Sequence, residues 1–560
     1  MRGWSTLVFV IGCGGGSGVH GMDSGGSAAG PCTRAHETIT ANTTWTTDMC
    51  PICPDSSVAI GTLDGSTTPI VLTIEAGCHV EMRSQTSISV YPNGALQALG
   101  TSDAAVVIEP GHLQSAWSGI EIDTPSPLAD TRLEHAMLQQ TQTGLHIRNG
   151  SPVVISTTIT GAMVDGITLE NASTFDPRSA DVTSTGNGRY GLVAPIASTD
   201  QLPAGDFSGN AKGGVHLIDS TVTHSLTWTD VKASYIVDSE LDVAGAGSPV
   251  LTMQPGVTVE APSVGVGGTA PGNLHALGSA TAPVTFKTSG PVWINTMASG
   301  SELENVVIAN ADTALIVDSV PVLLQNLTAT GQNYGISLRG TATLASGSTA
   351  LTATGSIFSV EGSALAMTQL PVTGSSYTGD LWINGGTLAQ SGTWHAFGPR
   401  YILNRPVDVH GTGTPVLTIE AGARIESFMG AGLTVGNFLQ PGGLVAQGTA
   451  ASPIVFTSTN ATPGSWPGVV FDDDTTAGSL LDHVVVEYGG AGGTGTFSNI
   501  AIVANGGGPT VSNSTVWRSS SHGIYVSCNP QHTPPPITNI TYGTGADANA
   551  GGDLVKSGCP

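Results

Sequence analysis

Three consecutive carboxylates, Asp472-Asp473-Asp474, follow directly on the apolar run Val469-Val470-Phe471. Carboxylates gathered this closely serve two chemistries: they supply oxygen ligands to a hard cation such as Ca²⁺, or they act as the paired acid and base of glycoside cleavage. With Glu487 brought from a neighbouring segment, Asp472, Asp473 and Asp474 form the candidate metal set, with Ca²⁺ as its cation, and no other cofactor is called for. The competing reading, a turn that carries acids for solubility as it leaves a strand, has the greater weight. Elimination chemistry would also need a basic residue placed to take a proton. The densest basic pair is Arg400 and Arg405, and strand alternation puts residues five apart on opposite faces, which argues against a joint clamp on a carboxylate.

Other reactive types are tied to a repeating frame. Leu481-Asp482-His483 occupies the same slot as Leu133-Glu134-His135 and Leu303-Glu304-Asn305, so His135 and His483 follow the scaffold rather than a reaction. His522 shares its slot with Asp165 and Tyr334 and is demoted by the same argument. Trp45, Trp228 and Trp394 open successive copies of the repeat, which favours packing over sugar stacking. Cys50-Pro51-Ile52-Cys53 has the spacing of half a zinc site or a redox pair, but no second such motif accompanies it. No phosphate-cradling glycine loop, nucleophile elbow or His-Glu-x-x-His is present.

The elements that must carry these residues follow from the repetition. Thr73-Ile74-Glu75-Ala76-Gly77 returns as Thr252-Met253-Gln254-Pro255-Gly256 and as Thr418-Ile419-Glu420-Ala421-Gly422. Leu96-Gln97-Ala98-Leu99-Gly100-Thr101 returns at Leu274 to Ser279 and at Leu444 to Thr449, and Trp117-Ser118-Gly119-Ile120 is matched by Trp293-Ile294 and Trp466-Pro467-Gly468-Val469. Inside the first copy, a glycine followed by apolar alternation recurs at Gly119, Gly144, Gly166, Gly191 and Gly214, in steps of 25, 22, 25 and 23 residues. One short strand per step suits a parallel β-solenoid, with rungs hydrogen-bonded at roughly 4.8 Å. The 76 glycines and the 10% of charged residues agree with many strands and turns. The predicted fold is all-β, a parallel β-helix of roughly 20 rungs with almost no helix.

These phrases, with Ala451-Ser452-Pro453-Ile454-Val455-Phe456-Thr457, resemble the right-handed parallel β-helix repeat proteins of bacterial surfaces, many of them lipoproteins, within the pectate-lyase-like superfold. The resemblance spans nearly all of residues 36–528 and implies a fold more than a chemistry, since that fold hosts lyases, hydrolases, epimerases and adhesins. Of the polygalacturonase-like phrases only a stray Asp-Asp is present, and Asp482-His483 echoes a pectate-lyase-like phrase only in part. Val10-Ile11-Gly12-Cys13 resembles a bacterial lipobox, which implies acylation of Cys13 and anchoring in an envelope membrane, at the outer membrane or cell surface.

On this reading the chain divides into a signal peptide (1–12), a Gly/Ser-rich tether (13–35), copies at 36–212, 213–378 and 379–528, and a cap at 529–560. Setting Cys13 aside leaves Cys32, Cys50, Cys53, Cys78, Cys528 and Cys559, an even number suited to disulfides in an oxidising compartment. The simplest pairing joins Cys528 to Cys559 and the four front residues among themselves. The net charge of −25 excludes a nucleic-acid partner, which needs basic stripes. The expected function is a lipid-anchored structural rod, or one binding a polysaccharide or surface protein, without a catalytic site. The alternative is a polysaccharide lyase or hydrolase centred on Asp472 to Asp474. A metal-delivery rod would need converging His, Met or Cys ligands, which the fourteen scattered histidines do not suggest.

Overall fold

The computed structural model describes residues 32–559 apart from 36, 361–374, 378, 397, 399, 492–496, 505–507 and 529–532. Alternating apolar residues and closely spaced turns produce strands mostly of two to six residues, each pairing in parallel with the strand one turn away. The result is an all-β parallel solenoid of about 19 turns, consistent with a right-handed parallel β-helix. Three strands make each turn. Helical structure among the described residues is confined to short 3-10 turns such as Thr47–Met49 and Ile196–Thr199.

Inward positions stack in register from turn to turn. Leu72 lies over Leu96, Ile74 over Ala98, and Ala98 over Leu133, all fully buried. Burying each such Leu or Ile stabilises the rod by about 1.5–3 kcal/mol, and the ladder repeats that gain at every turn. The leading tryptophans close the corners: Trp45, Trp228 and Trp394 are at most 2% exposed. Trp228 stacks on Tyr235 at 4.5 Å and Trp394 on Tyr401 at 5.0 Å. They are packing residues, as their recurrence in register predicts.

The recurring phrases describe one contact. A Cβ on Gly100, Gly278 or Gly448 would stand 2.5, 2.3 or 2.4 Å from the carbonyl oxygen of His135, Asn305 or His483. Those three residues have φ of 43°, 49° and 50°, a left-handed corner that Asn and His tolerate better than most side chains. The glycine of one phrase and the His or Asn of another are thus two sides of a single corner. This is why His135 and His483 belong to the scaffold.

One register in the repeat differs from its sequence alignment. Ile120 and Val469 are the first inward residues after Gly119 and Gly468, and Val292 is their counterpart in the second copy. Three residues before Val292 stands Ser289, so Ser289 holds the slot of Trp117 and Trp466. Trp293 instead occupies the middle of strand Val292–Ile294, where Glu121 and Val470 point outward in the other copies.

The copies also fail to align around the axis. The ladder through Gly119–Asp123 runs on through Gly213–Leu217 to Ser234–Val237 and Thr258–Ala261, the strand that follows Gly256. In the first copy, however, the strand after Gly77 is His79–Met82, on another ladder. The same offset recurs where Leu381–Ile383 pairs with Tyr401–Leu403 and then Arg424–Ser427. With three strands per turn, equivalent phrases rotate by one face from copy to copy. The cysteines pin both ends, Cys32 to Cys53, Cys50 to Cys78, and Cys528 to Cys559. The Cys50–Cys53 pair is therefore neither a zinc half-site nor a redox couple.

Candidate functional site

Because one ladder passes through the second and third copies, it aligns outer-face positions that are far apart in sequence. Along it, in backbone register, stand Trp293, Ile316, Ser337, Ser359, Trp382, Ile402, Glu426 and Thr457; Trp293 and Trp382 are half-buried, while neighbouring side chains cover Ile316, Ser337, Ile402, Glu426 and Thr457. Glu487 and Trp517 continue the row, with Thr457 Oγ1 donating to Glu487 Oε1 at 3.1 Å. At roughly 4.8 Å per rung the row is on the order of 40 Å long.

Its aromatic members form platforms. Tyr334 meets Trp382 edge to face, centroids 6.4 Å apart, and Phe428 packs on the same indole at 5.5 Å. The Arg339 guanidinium lies over Trp293 at 5.6 Å. Arg518 sits over both Trp517 at 4.6 Å and Tyr488 at 5.3 Å. Such cation–aromatic contacts hold the rings in place against the sheet.

Its carboxylates are fully engaged. Glu426, 4% exposed, accepts from Arg400 Nη1 and from Arg424 Nε, both at 2.7 Å. Arg400 also grips Asp380 through Nε at 3.0 Å and Nη2 at 2.5 Å. Glu487 Oε2 accepts from Trp517 Nε1 at 2.8 Å and Arg518 Nη1 at 2.9 Å, and Arg518 Nε reaches Asp547 at 2.8 Å. A carboxyl with both oxygens held by donors is fixed in place, whereas a general acid needs an oxygen free to meet the substrate. Arg400 works here without Arg405, which is exposed and makes no ion pair among the described residues.

The acidic run lies elsewhere. Asp472 to Asp474 form the turn after Val469–Phe471: Asp472 Oδ1 accepts from Asp473 N, Thr475 N and Oγ1 both donate to the Asp472 carbonyl, and Gly442 N donates to the Asp474 carbonyl. Glu487 stands on another sheet, in strand Val484–Glu487, with its oxygens committed as above. Among the described residues no three His, Cys, Asp or Glu side chains gather as a metal set. Asp482 is a structural carboxylate: burial pushes its pKa up, but hydrogen bonds from Ser512, His483 and Asn513 outweigh that and leave it lowered.

Histidines on other faces tie turn to turn. His79 meets Glu109 at 2.8 Å, His146 meets Glu170 at 2.9 Å, and His216 meets Asp238 at 3.0 Å while stacking on Tyr190 at 4.4 Å. His522 Nδ1 lies 2.5 Å from the Gly551 carbonyl. Cys13 and most of the segment 1–35 lie outside the described residues, as does 492–496 within the Gly-rich insert from Gly489.

The architecture is that of a parallel β-solenoid bearing a linear outer stripe. The family model described as "Pectate-lyase like beta helix domain" matches residues 386–477, most of the third copy up to the acidic turn. Comparison with curated proteins and with solved structures gives no match. The stripe was invisible in sequence because Trp293, Trp382 and Trp517 come from different phrases; the one signal was the missing glycine after Trp293.

Proposed function

We propose that this protein is a binding rod, anchored at a cell surface through Cys13, whose Trp293-to-Trp517 stripe takes a glycan laid along the axis. The observation that carries the reading is the register of Trp293, Trp382 and Trp517 on one outward row, with aromatic or guanidinium neighbours fixing each ring. Indole faces stack on the C–H face of a pyranose, and a row of them suits a linear chain rather than a single small molecule. Binding is favoured over cleavage because Glu426 and Glu487 have both oxygens held by donors. Lipid on Cys13 and the Gly/Ser-rich segment after it would present the rod away from a membrane.

The test is binding of the full chain to a panel of soluble plant and bacterial polysaccharides, scored by affinity electrophoresis and by new reducing ends or unsaturated products. Retardation by at least one polysaccharide that W382A reduces is the expected result. Product formation would overturn the non-catalytic reading, and retardation indifferent to W382A would remove the stripe from it.

A further inference from the structure

Along the stripe most cations are already neutralised by carboxylates, and Arg339 is the exception. In a chain with 41 acids and 16 bases, every described arginine except Arg339 and Arg405 makes an ion pair. Arg405 is exposed and solvated, whereas Arg339 is half-buried with its Nε closed off from water and given no acceptor. Asp318, its register partner on the preceding turn, accepts instead from Ser319 Oγ at 2.8 Å. Beneath the guanidinium, Trp293 Nε1 is also buried without an acceptor. Among the described residues these two N–H donors of one cation–aromatic pair thus find no acceptor oxygen, although buried donors in folded proteins nearly always have one. Trp382 and Trp394 share the unpaired Nε1, but among the described residues no guanidinium lies over Trp382, and the Trp394 indole is sealed in the core at 0% exposure, where no ligand reaches. Arg339 and Trp293 belong to the outer face.

We propose that Arg339 and Trp293 form an oxoanion site that takes a carboxylate or sulfate group of the ligand. The guanidinium supplies charge and a planar donor set, and the indole N–H adds a neutral donor beside it. The site stands at one end of the binding stripe and rests on that reading only for the remainder of the ligand chain. It gives that end a polarity: an acidic substituent is received at Arg339, while the rest of the chain lies over Trp382 and Trp517.

Calorimetric titration of the full chain with glucuronate, inorganic sulfate and glucose tests this, using wild type, R339Q, R339K and W293F. Glucuronate or sulfate should bind more tightly than glucose, and which of the two binds better identifies the group. R339Q should weaken that binding by about tenfold or more and W293F by several-fold, with R339K intermediate because it keeps the charge but loses the planar donor set. W293F keeps an aromatic platform under Arg339, so folding of that variant is checked by its unchanged melting transition. Oxoanions that bind no better than glucose, or an affinity indifferent to R339Q, would overturn the site. If a neutral polysaccharide binds in a W382A-dependent way while R339Q has no effect, the site fails and the stripe stands. If oxoanions respond to R339Q while no polysaccharide binds, the stripe fails and the site stands.

Discussion

The clamp on Glu426 offers the sharpest test of the stripe's construction. Its side chain is 6% exposed, while those of Arg400 and Arg424 are 46% and 45% exposed. Removing one arginine leaves the carboxylate with the other, and the loss at Glu426 is one charge-assisted hydrogen bond partly replaced by water; R400A in addition releases the two bonds to Asp380, a loss that the double variant shares. At Glu426 either single variant, R400A or R424A, costs about 1 kcal/mol, discounted for the solvent reach of the guanidinium. Removing both strands an unpaired charge in a nearly closed position, which costs about 3–5 kcal/mol. The double variant should therefore exceed the sum of the singles by about 1–3 kcal/mol, the signature of a shared partner. Because a solenoid opens in segments, the assay is hydrogen exchange read on Tyr401–Leu403, Arg424–Ser427 and Ile454–Ser458, together with urea unfolding. Additivity within about 0.5 kcal/mol would refute the claim that Glu426 depends on both arginines.

Three further outcomes follow from the geometry. G448A should destabilise the third copy by about 1–3 kcal/mol, because its Cβ would stand 2.4 Å from the His483 carbonyl; thermal melting beside a T449A control checks it. Reducing Cys528–Cys559, which closes a 31-residue separation, should lower the stability of the last turns by roughly 3–4 kcal/mol, seen as faster exchange in Ile524–Cys528 and Leu554–Ser557 and little change near Trp228. The Arg178 hydrogen bond holds Asp176 down at about 2 from 3.8. A depressed carboxylate stabilises the fold above its unfolded pKa and loses that contribution as pH falls towards the folded one, so D176N should flatten acid unfolding between about pH 4 and 2, by less than about 1 kcal/mol for so solvent-facing a pair.

Architecture was largely legible in the chain. Ladder-forming residues such as Leu72, Ile74, Leu96 and Ala98 alternate with the period of a strand, and the phrases recur at the spacing of turns, so local pattern and global fold agree. The slot shared by His135, Asn305 and His483 marked itself as scaffold by recurring in register, and the structure added that it is a left-handed corner. The disulfides were constrained by number and position, Cys528 and Cys559 at the back and the other four at the front.

The site was not legible, for a geometric reason. Side chains on an outer ladder are neighbours every twenty to thirty residues, as with the 26 residues between Arg400 and Glu426 and the 31 between Glu487 and Arg518. Turn lengths vary, so nothing in the order of residues announces who stands beside whom. The phrase match sets Trp293 against Trp117 at its corner; strand register puts it four positions on, on the outer face. Asp472 to Asp474 drew attention because they are adjacent in sequence, yet adjacency along a turn fans side chains apart whereas stacking across turns brings them together. Sequence by itself determined a stacked, disulfide-ended rod, since hydrophobic period and corner residues act locally and repeat. Which face each copy presents, and which arginine meets which carboxylate, was decided only when the turns stacked, because the one-face rotation at each junction is a property of the whole ladder.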